Sequence, residues 1–167
     1  ASTMLDSLAA RMRLKLDHNN KQKILGAFAT MPAHPDMSQA LETLKAAGYR
    51  TIAFTNSSIQ LVTSQIANSG LTDLFDQQIS VESTGSFKPD TKVYQHAAKQ
   101  ADRPIQALRL VATHDWDTHG ALSAGMKAGY IDRTGAPYHP QYLRPDAFAK
   151  SMTELVAQII KLDANSV

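Results

Sequence analysis

Cysteine is absent from this sequence of 167 residues, which excludes a disulfide framework and any thiolate chemistry. Long apolar runs are also missing, since none approaches the roughly 20 residues that a membrane-spanning helix needs. The first 16 residues lack the continuous apolar segment of a secretory signal. Positive and negative charges nearly balance, with a formal net charge of +2. The sequence also lacks the long basic run that would indicate nucleic-acid binding. We therefore expect a cytoplasmic protein with neither a membrane nor a nucleic-acid partner.

The chain does contain an alternation of short apolar runs with amphipathic segments. The apolar runs predict strands over residues 51–55, 78–81, 108–113 and 129–132. The amphipathic segments predict helices over residues 59–69, 91–101, 116–127 and 152–162. Strands that alternate with helices predict an α/β fold in which a parallel sheet lies between helical layers.

Three further helical segments precede this alternation, over residues 3–16, 21–29 and 37–47. A turn containing Pro32 and Pro35 separates the second from the third, because neither proline fits the interior of a helix. Asp36 is predicted to cap the third helix, with Gln39 at the capping-box spacing. The first 30 residues are all helical and are predicted to form a separate subdomain.

Polar side chains follow several of the predicted strands. Thr55 and Asn56 end the first strand, Lys88 lies in a loop after the second, and Asp117 follows the third. The carboxyl ends of parallel strands share one edge of a sheet, so these tips are expected to form a site. A hydroxyl beside a helix N-terminus suits an anion, although Thr55 could serve only as a cap. A loop lysine could be solvated, or could supply positive charge to a carboxylate or phosphate.

The densest cluster of ionisable residues comprises His114, Asp115, Asp117 and His119. A zinc site needs three or four convergent ligands, and residues on one strand–helix turn diverge at this spacing, so zinc is not expected. The two carboxylates could hold Mg²⁺ beside a phosphoryl substrate. Alternatively, Asp117 positions water or a charged lysine, and Asp115 caps the helix. Three histidines in loops or on helix surfaces are expected to be solvated: His34, His96 and His139.

In this order and spacing, three segments resemble motifs of the haloacid dehalogenase superfamily. Residues 54–58, Phe-Thr-Asn-Ser-Ser, resemble its second motif, and residues 88–94, Lys-Pro-Asp-Thr-Lys-Val-Tyr, resemble its third. Residues 111–121 resemble the fourth, with the Trp-Asp-x-x-Gly-Ala ending that is typical of the L-2-haloacid dehalogenase branch. The resemblance implies a Rossmann-like three-layer α/β/α core over residues 31–167. Residues 1–30 would be the remnant of a helical cap.

The resemblance also implies a reaction, the hydrolytic removal of halide from a short 2-haloalkanoic acid through an aspartyl-ester intermediate. Thr55 and Asn56 would hold the carboxylate of the substrate. Lys88 would neutralise and orient the nucleophile. Asp117, together with His114, would position the water.

Two further positions bear on the function that the resemblance implies. Tyr94 would support Lys88 and form part of the substrate-site wall. Ala112 stands where phosphatases of the superfamily carry an aspartate that helps to hold Mg²⁺, five residues before the position of Asp117. Loss of that oxygen ligand favours a dehalogenase without a cofactor. The alternatives are a magnesium-dependent phosphatase and an inactive homologue that acts as an oligomeric or binding module.

One motif of the superfamily is not found in the sequence. Its nucleophile is an aspartate at the end of the first strand, whereas Asp6 lies within a helical stripe. The cap arginine that would receive halide is not identifiable either. We therefore expect a truncated form, inactive alone, that forms a homodimer or associates with a missing N-terminal segment. The strands at 51–55 and 108–113 would pair directly, or a separate segment or second chain would fill the gap between them.

Overall fold

Parallel strands alternate with helices over most of the chain in the computed structural model, which describes residues 2–165. The helices are α1 (Ser2–Arg11), α2 (His18–Ala27), α3 (Met37–Ala46), α4 (Ile59–Asn68), α5 (Thr91–Ala101), α6 (Asp115–Ser123) and α7 (Met152–Ala164). The strands are β1 (Ile52–Thr55), β2 (Gln77–Ser80), β3 (Arg109–Ala112), β4 (Lys127–Ile131) and β5 (Ala147–Ala149). The predicted α/β class is confirmed. Across the described residues, no helix is long and apolar enough to cross a membrane.

The strands form two parallel sheets. In the first, β1 pairs with β2, with Phe54 opposite Ile79. In the second, the order is β3-β4-β5, with Val111 opposite Gly129. Strands β1 and β3 are not neighbours in either sheet. The expected direct pairing of these two strands is therefore wrong.

A cavity of about 590 Å³ has both β1 and β3 in its lining, and all four residues of each strand contribute to it. We call this cavity the cleft. Every residue of both strands is only half-buried, whereas four of the five residues of β4 are fully buried. In a parallel α/β sheet, interior strands are normally covered on all sides. The cleft explains why β1 and β3 depart from that pattern.

Helices α3 and α5 both contact residues of the two sheets beside the cleft. On α3, Leu44 belongs to a core cluster with β4, β5 and α7, while Leu41 belongs to a cluster with α4. On α5, Tyr94 belongs to a third cluster, against which Phe54 of β1 and Leu110 of β3 pack. The clusters on these two helices thus include residues of both sheets.

The N-terminal helices α1 and α2 bury none of their residues. They are joined to each other by an ion pair between Lys21 and Asp6, with 2.5 Å between Nζ and Oδ1. The following turn is attached to α4, where the side-chain amide of Gln65 donates to the Phe28 carbonyl at 2.8 Å. The predicted division into residues 1–30 and 31–167 stays a prediction.

Several predicted boundaries differ from the observed ones. The helix predicted over 116–127 ends at Ser123, because Gly125 has a φ of +98° and β4 begins at Lys127. Strand β5 was not predicted, since its three residues follow a proline-containing loop and are too few for a periodic pattern. Asp36 stands at the N-cap position of α3 as predicted, but its side chain makes no capping hydrogen bond.

Asp36 instead connects three elements. Its two carboxylate oxygens accept from the two terminal nitrogens of Arg133 at 2.8 and 2.9 Å. One of them also accepts from the backbone N–H of Met152 at 2.6 Å, at the start of α7. The hydrogen bond from Arg133 is the largest influence on this carboxyl and holds the pKa of Asp36 below its ordinary value. The carboxylate therefore stabilises the junction of α3, α7 and the end of β4.

Replacement Asp36→Asn should remove this charge with little change in size. We expect the free energy of unfolding, measured by urea denaturation at neutral pH, to fall by about 1–3 kcal/mol. Because folding lowers the pKa of Asp36, its contribution is complete above the unfolded-state value of about 3.9 and is lost as pH falls through the folded-state value. Wild type and variant should therefore converge in acid. The control Asp73→Asn, at an exposed carboxylate, should be neutral. Equal stability of wild type and Asp36→Asn at neutral pH would contradict this role.

Candidate active site

The carboxyl end of β1 leads directly into the N-terminus of α4. The hydroxyl of Thr55 accepts from the backbone N–H of Ser57 at 2.9 Å, which turns the chain. Ser58 then caps α4, because its hydroxyl accepts from the Leu61 N–H at 3.2 Å. Thr55 also lines the cleft. The sequence allowed two interpretations of Thr55, a cap or an anion-binding residue, and the structure places it both at the turn and at the cleft.

Asn56 holds the backbone of Lys88. Its side-chain oxygen accepts from the Lys88 N–H at 2.9 Å, and its side-chain nitrogen donates to the Lys88 carbonyl at 3.4 Å. Both polar atoms of the amide are therefore used to fix the loop that carries the lysine. A role of Asn56 in binding substrate stays a prediction. The contact that the structure does show joins the end of β1 to the loop that carries Lys88.

The side chain of Lys88 forms an ion pair with Asp117, with 2.7 Å between Nζ and Oδ2. The pair is almost fully enclosed, since the side chains are 9% and 5% exposed. Lys88 Nζ also lies 3.4 Å from the Phe54 carbonyl oxygen and 4.8 Å from the centre of the Phe54 ring. Removing one partner from such a pair leaves a buried charge without compensation, which is strongly unfavourable. The predicted meeting of the second, third and fourth motifs is therefore observed.

Tyr94 completes the environment of Asp117. Its hydroxyl donates to Asp117 Oδ1 at 2.7 Å and lies 3.2 Å from the Asp117 carbonyl oxygen. Burial, followed by the hydrogen bond to Asp117 and the charge of that carboxylate, raises the pKa of Tyr94 far above its ordinary value. The phenol thus remains a donor at neutral pH. Both carboxylate oxygens of Asp117 are engaged, one by Lys88 and one by Tyr94.

His114 is less closely associated with this network than expected. Its ring is exposed, lines the cleft and lies 5.4 Å from the ring of Trp116 between centres. Its backbone carbonyl accepts from the Asp117 N–H at 3.2 Å, but within residues 2–165 no hydrogen bond joins its ring to the Asp117 carboxylate. Its proposed part in positioning water stays a prediction. Trp116 is half-buried.

The carboxylates of this region do not converge on a common point. Asp115 accepts from the backbone N–H of Trp116 at 2.8 Å and from that of His139 at 3.1 Å. Among the described residues, no group of three or more His, Cys, Asp or Glu could hold a metal ion. Ala112 contributes no carboxylate where it lines the cleft. The carboxylates among residues 2–165 therefore do not form a donor set for Mg²⁺, which is bound through carboxylate oxygens. The expectation of a reaction without a cofactor stays a prediction.

Gly120 is a site residue that was not among those predicted from the sequence. A Cβ at this position would lie 2.6 Å from the Tyr94 hydroxyl oxygen and 2.7 Å from Cβ of Pro89. Only glycine therefore allows α6 to approach the loop and helix that carry Lys88 and Tyr94. A glycine in the interior of a predicted helix was the available signal.

Known proteins are similar in sequence to this chain. A family model described as haloacid dehalogenase-like hydrolase matches residues 5–109. The (S)-2-haloacid dehalogenase of Pseudomonas fluorescens is 30% identical over 142 residues, which are 85% of this chain and 63% of that protein. A phosphatase of Mycobacterium tuberculosis is 31% identical over 136 residues, which are 80% of this chain and 62% of that protein. This chain thus spans less than two thirds of the length of these relatives.

A solved structure shows the same fold. The crystal structure of an L-2-haloacid dehalogenase superposes with a TM-score of 0.91 at 24% identity. The superposition covers 96% of this chain and 70% of the other. At this level of identity the likeness concerns the fold, and it supports a Rossmann-like arrangement of the strands and helices described above.

Substitution Gly120→Ala tests the close approach of α6. The added methyl group should displace Tyr94 or Pro89 and lower the free energy of unfolding by about 1–3 kcal/mol in urea denaturation. Gly26→Ala is the matched control, because this glycine also lies in a helix and a Cβ added there would meet nothing within 4 Å. That control should be neutral or stabilising by up to about 1 kcal/mol. Equal effects of the two substitutions would contradict the packing described here.

Proposed function

The chain belongs to the haloacid dehalogenase-like hydrolases, and from this premise we propose that its site serves the hydrolytic dehalogenation of short 2-haloalkanoic acids. The observation that carries the proposal is the enclosed Lys88–Asp117 pair, which lines the cleft near the carboxyl ends of its strands. A fixed cation at such a place suits a reaction between two anions, a carboxylate nucleophile and a carboxylate substrate. The (S)-2-haloacid dehalogenase relative supports the choice of substrate.

The proposed reaction has two steps. First, a carboxylate oxygen attacks C2 of the substrate, and the halide leaves with the electron pair of the broken carbon–halogen bond. Water then attacks the carbonyl carbon of the resulting ester, which regenerates the carboxylate and releases a 2-hydroxy acid and a proton. Lys88 lowers the energy of the approaching negative charges, because its charge acts where water is largely excluded. Asp117 and Tyr94 keep the lysine in place. Thr55, which lines the cleft, holds the carboxylate of the substrate.

Asp117 is a poor candidate for the nucleophile itself. Its side chain is 5% exposed, and its two oxygens accept from Lys88 and Tyr94. A nucleophile needs an oxygen that can reach the carbon under attack. We therefore assign Asp117 to holding Lys88 and to the water step, and we propose that another segment carries the nucleophile.

In our proposal, a strand seated in the cleft carries the nucleophile. One backbone edge of β1 and one of β3 have no strand partner among the described residues, although such edges are normally paired or covered. Lys88 Nζ lies beside the Phe54 carbonyl, so a strand parallel to β1 would end close to this cation. A carboxylate at the end of that strand would then face Lys88.

Domain division, cellular compartment and assembly complete the proposal. We assign residues 1–30 to a cap and residues 31–167 to the core, and we propose a cytoplasmic homodimer or an association with a strand-bearing N-terminal segment. Exposed apolar side chains on the N-terminal helices and the following turn are compatible with such an association: Met4, Leu8, Met12, Leu14, Ile24, Phe28 and Met31. No cofactor is required by the two steps given above.

A phosphatase is the second candidate function. The relative from Mycobacterium tuberculosis supports it, and a lysine in an enclosed site would also suit a phosphoryl group. The alanine at position 112 and the dispersed carboxylates weigh against a magnesium-dependent reaction. Release of inorganic phosphate from a phosphate monoester in the presence of Mg²⁺ would favour this alternative. An inactive binding module would release neither product.

Strand complementation can be tested with a synthetic peptide of about five β-branched residues followed by Asp, which favour an extended conformation. The chain alone should release no halide from L-2-chloropropionate, since a missing nucleophile costs several orders of magnitude in rate. Addition of the peptide should produce halide, measured with an ion-selective electrode. The same peptide ending in Asn should bind without turnover. Halide release with the Asn peptide, or no binding of either peptide, would contradict the proposal.

The role of the lysine can be tested in the active complex. Lys88→Ala should lower the rate of halide release by at least about 10²–10³, the effect expected when a preorganised charge is removed. Lys92→Ala is the matched control, because this lysine is exposed and lies in the first turn of α5. It should leave the rate unchanged. Full activity of Lys88→Ala would exclude the proposed site.

A further inference from the structure

The ammonium group of Lys88 has fewer hydrogen-bond acceptors than it has hydrogens. It carries three N–H groups. One donates to Asp117 Oδ2 at 2.7 Å, and a second lies 3.4 Å from the Phe54 carbonyl oxygen, which is long for a hydrogen bond. Within residues 2–165, Nζ has no third acceptor. Because the side chain is only 9% exposed, water has little access to the ammonium, and further compensation of its charge is needed.

The aromatic ring of Phe54 lies where that compensation is needed. Lys88 Nζ lies over this ring, 4.8 Å from its centre. The face of an aromatic ring carries negative potential and attracts a cation within about 6 Å of the ring centre. The attraction is larger where the cation is shielded from water, as it is here. Phe54 thus offers two groups to the same ammonium, a carbonyl oxygen and a ring face.

Tyr94 fixes the orientation of the Phe54 ring. The two ring centres are 6.0 Å apart and the ring planes are inclined at 73°, near the perpendicular arrangement that aromatic pairs favour. Tyr94 is fully buried, and its hydroxyl donates to Asp117 Oδ1 at 2.7 Å. Contacts therefore run in a closed cycle from Lys88 through Asp117, Tyr94 and Phe54 back to Lys88. The ring of Phe54 closes this cycle.

We propose that Phe54 is a positioning residue whose ring face holds the Lys88 ammonium at the carboxyl end of β1. A residue that served only to pack would need an apolar surface at this place, which leucine would also supply. A positioning role requires the negative potential of the ring face, which leucine lacks. The two roles therefore differ in what they predict for a ring that keeps its shape but loses that potential.

The carbonyl group of Phe54 faces the cleft, where a strand would compete for it. The carbonyls of Thr51 and Thr55 accept from backbone N–H groups on the β2 side, at 2.9 and 3.2 Å. Carbonyl groups alternate between the two edges of a strand, so that of Phe54 points to the edge without a strand partner among the described residues. A strand paired there would engage this carbonyl and free one Lys88 hydrogen for the nucleophile. This last step rests on the proposed function, whereas the ring contact does not.

Hydrogen exchange of the Lys88 ammonium, followed by NMR in the chain alone, tests the proposal. Phe54 is replaced by phenylalanines that carry one, two or three ring fluorines, which withdraw electrons from the ring face and largely keep its shape. The exchange rate at a fixed pH and temperature should rise with each added fluorine. In Phe54→Leu it should rise by about twofold to thirtyfold, the range expected for loss of a contact between a cation and a ring.

The same fluorinated residues at Phe148 provide the matched control. That ring contacts Tyr130 and Tyr138, so exchange at Lys88 should not change. A rate that ignores fluorination of Phe54, or that responds equally to fluorination of Phe148, would overturn the proposal. A rise in Phe54→Leu without any rise in the fluorinated series would also overturn it, because Phe54 would then act by packing alone. These measurements need neither turnover nor a seated strand, so the proposed dehalogenation and the role of the ring can fail independently.

Discussion

The buried ion pair between Lys88 and Asp117 is the interaction on which the site depends. Enclosing two charges is costly unless each compensates the other and the remaining hydrogen-bonding capacity is used. The structure meets this condition through neighbours that serve the pair: Asn56 fixes the backbone of the lysine, and Tyr94 occupies the second oxygen of the carboxylate. Gly120 is the reason that α6 can come close enough. The site is thus built around the requirements of one pair of charges.

This dependence explains which parts of the site were predictable. The sequence predicted that polar residues after different strands would meet, because parallel strands share a carboxyl edge, and Lys88 does meet Asp117. It did not predict that Asn56 would use both polar atoms on the backbone of Lys88. Nor did it predict that Gly120, the glycine of the fourth motif, would lie against Tyr94 and Pro89. Such details depend on distances between elements that are far apart in the chain, and local patterns contain no information about them.

The same distinction applies to the fold. Most element positions were predicted, because they depend on neighbours within a few residues. Asp36 stands at the predicted N-cap position, but its side chain does not cap α3, since Arg133, 97 residues later, competes for its carboxylate. A bidentate bond between two charged groups outweighs a cap to a neutral N–H. Local rules failed where a stronger partner was supplied by tertiary structure.

Helices α3 and α5 contact both sheets, and the hydrogen bonds that join Lys88, Asp117 and Tyr94 come entirely from residues outside β3. Lys88 is therefore held in place without a strand between β1 and β3. In our proposal, the strand that enters the cleft supplies only backbone hydrogen bonds to β1 and β3 and one carboxylate. Since preorganised charge need not rearrange during the reaction, the proposed rate would be governed by how firmly that strand is seated.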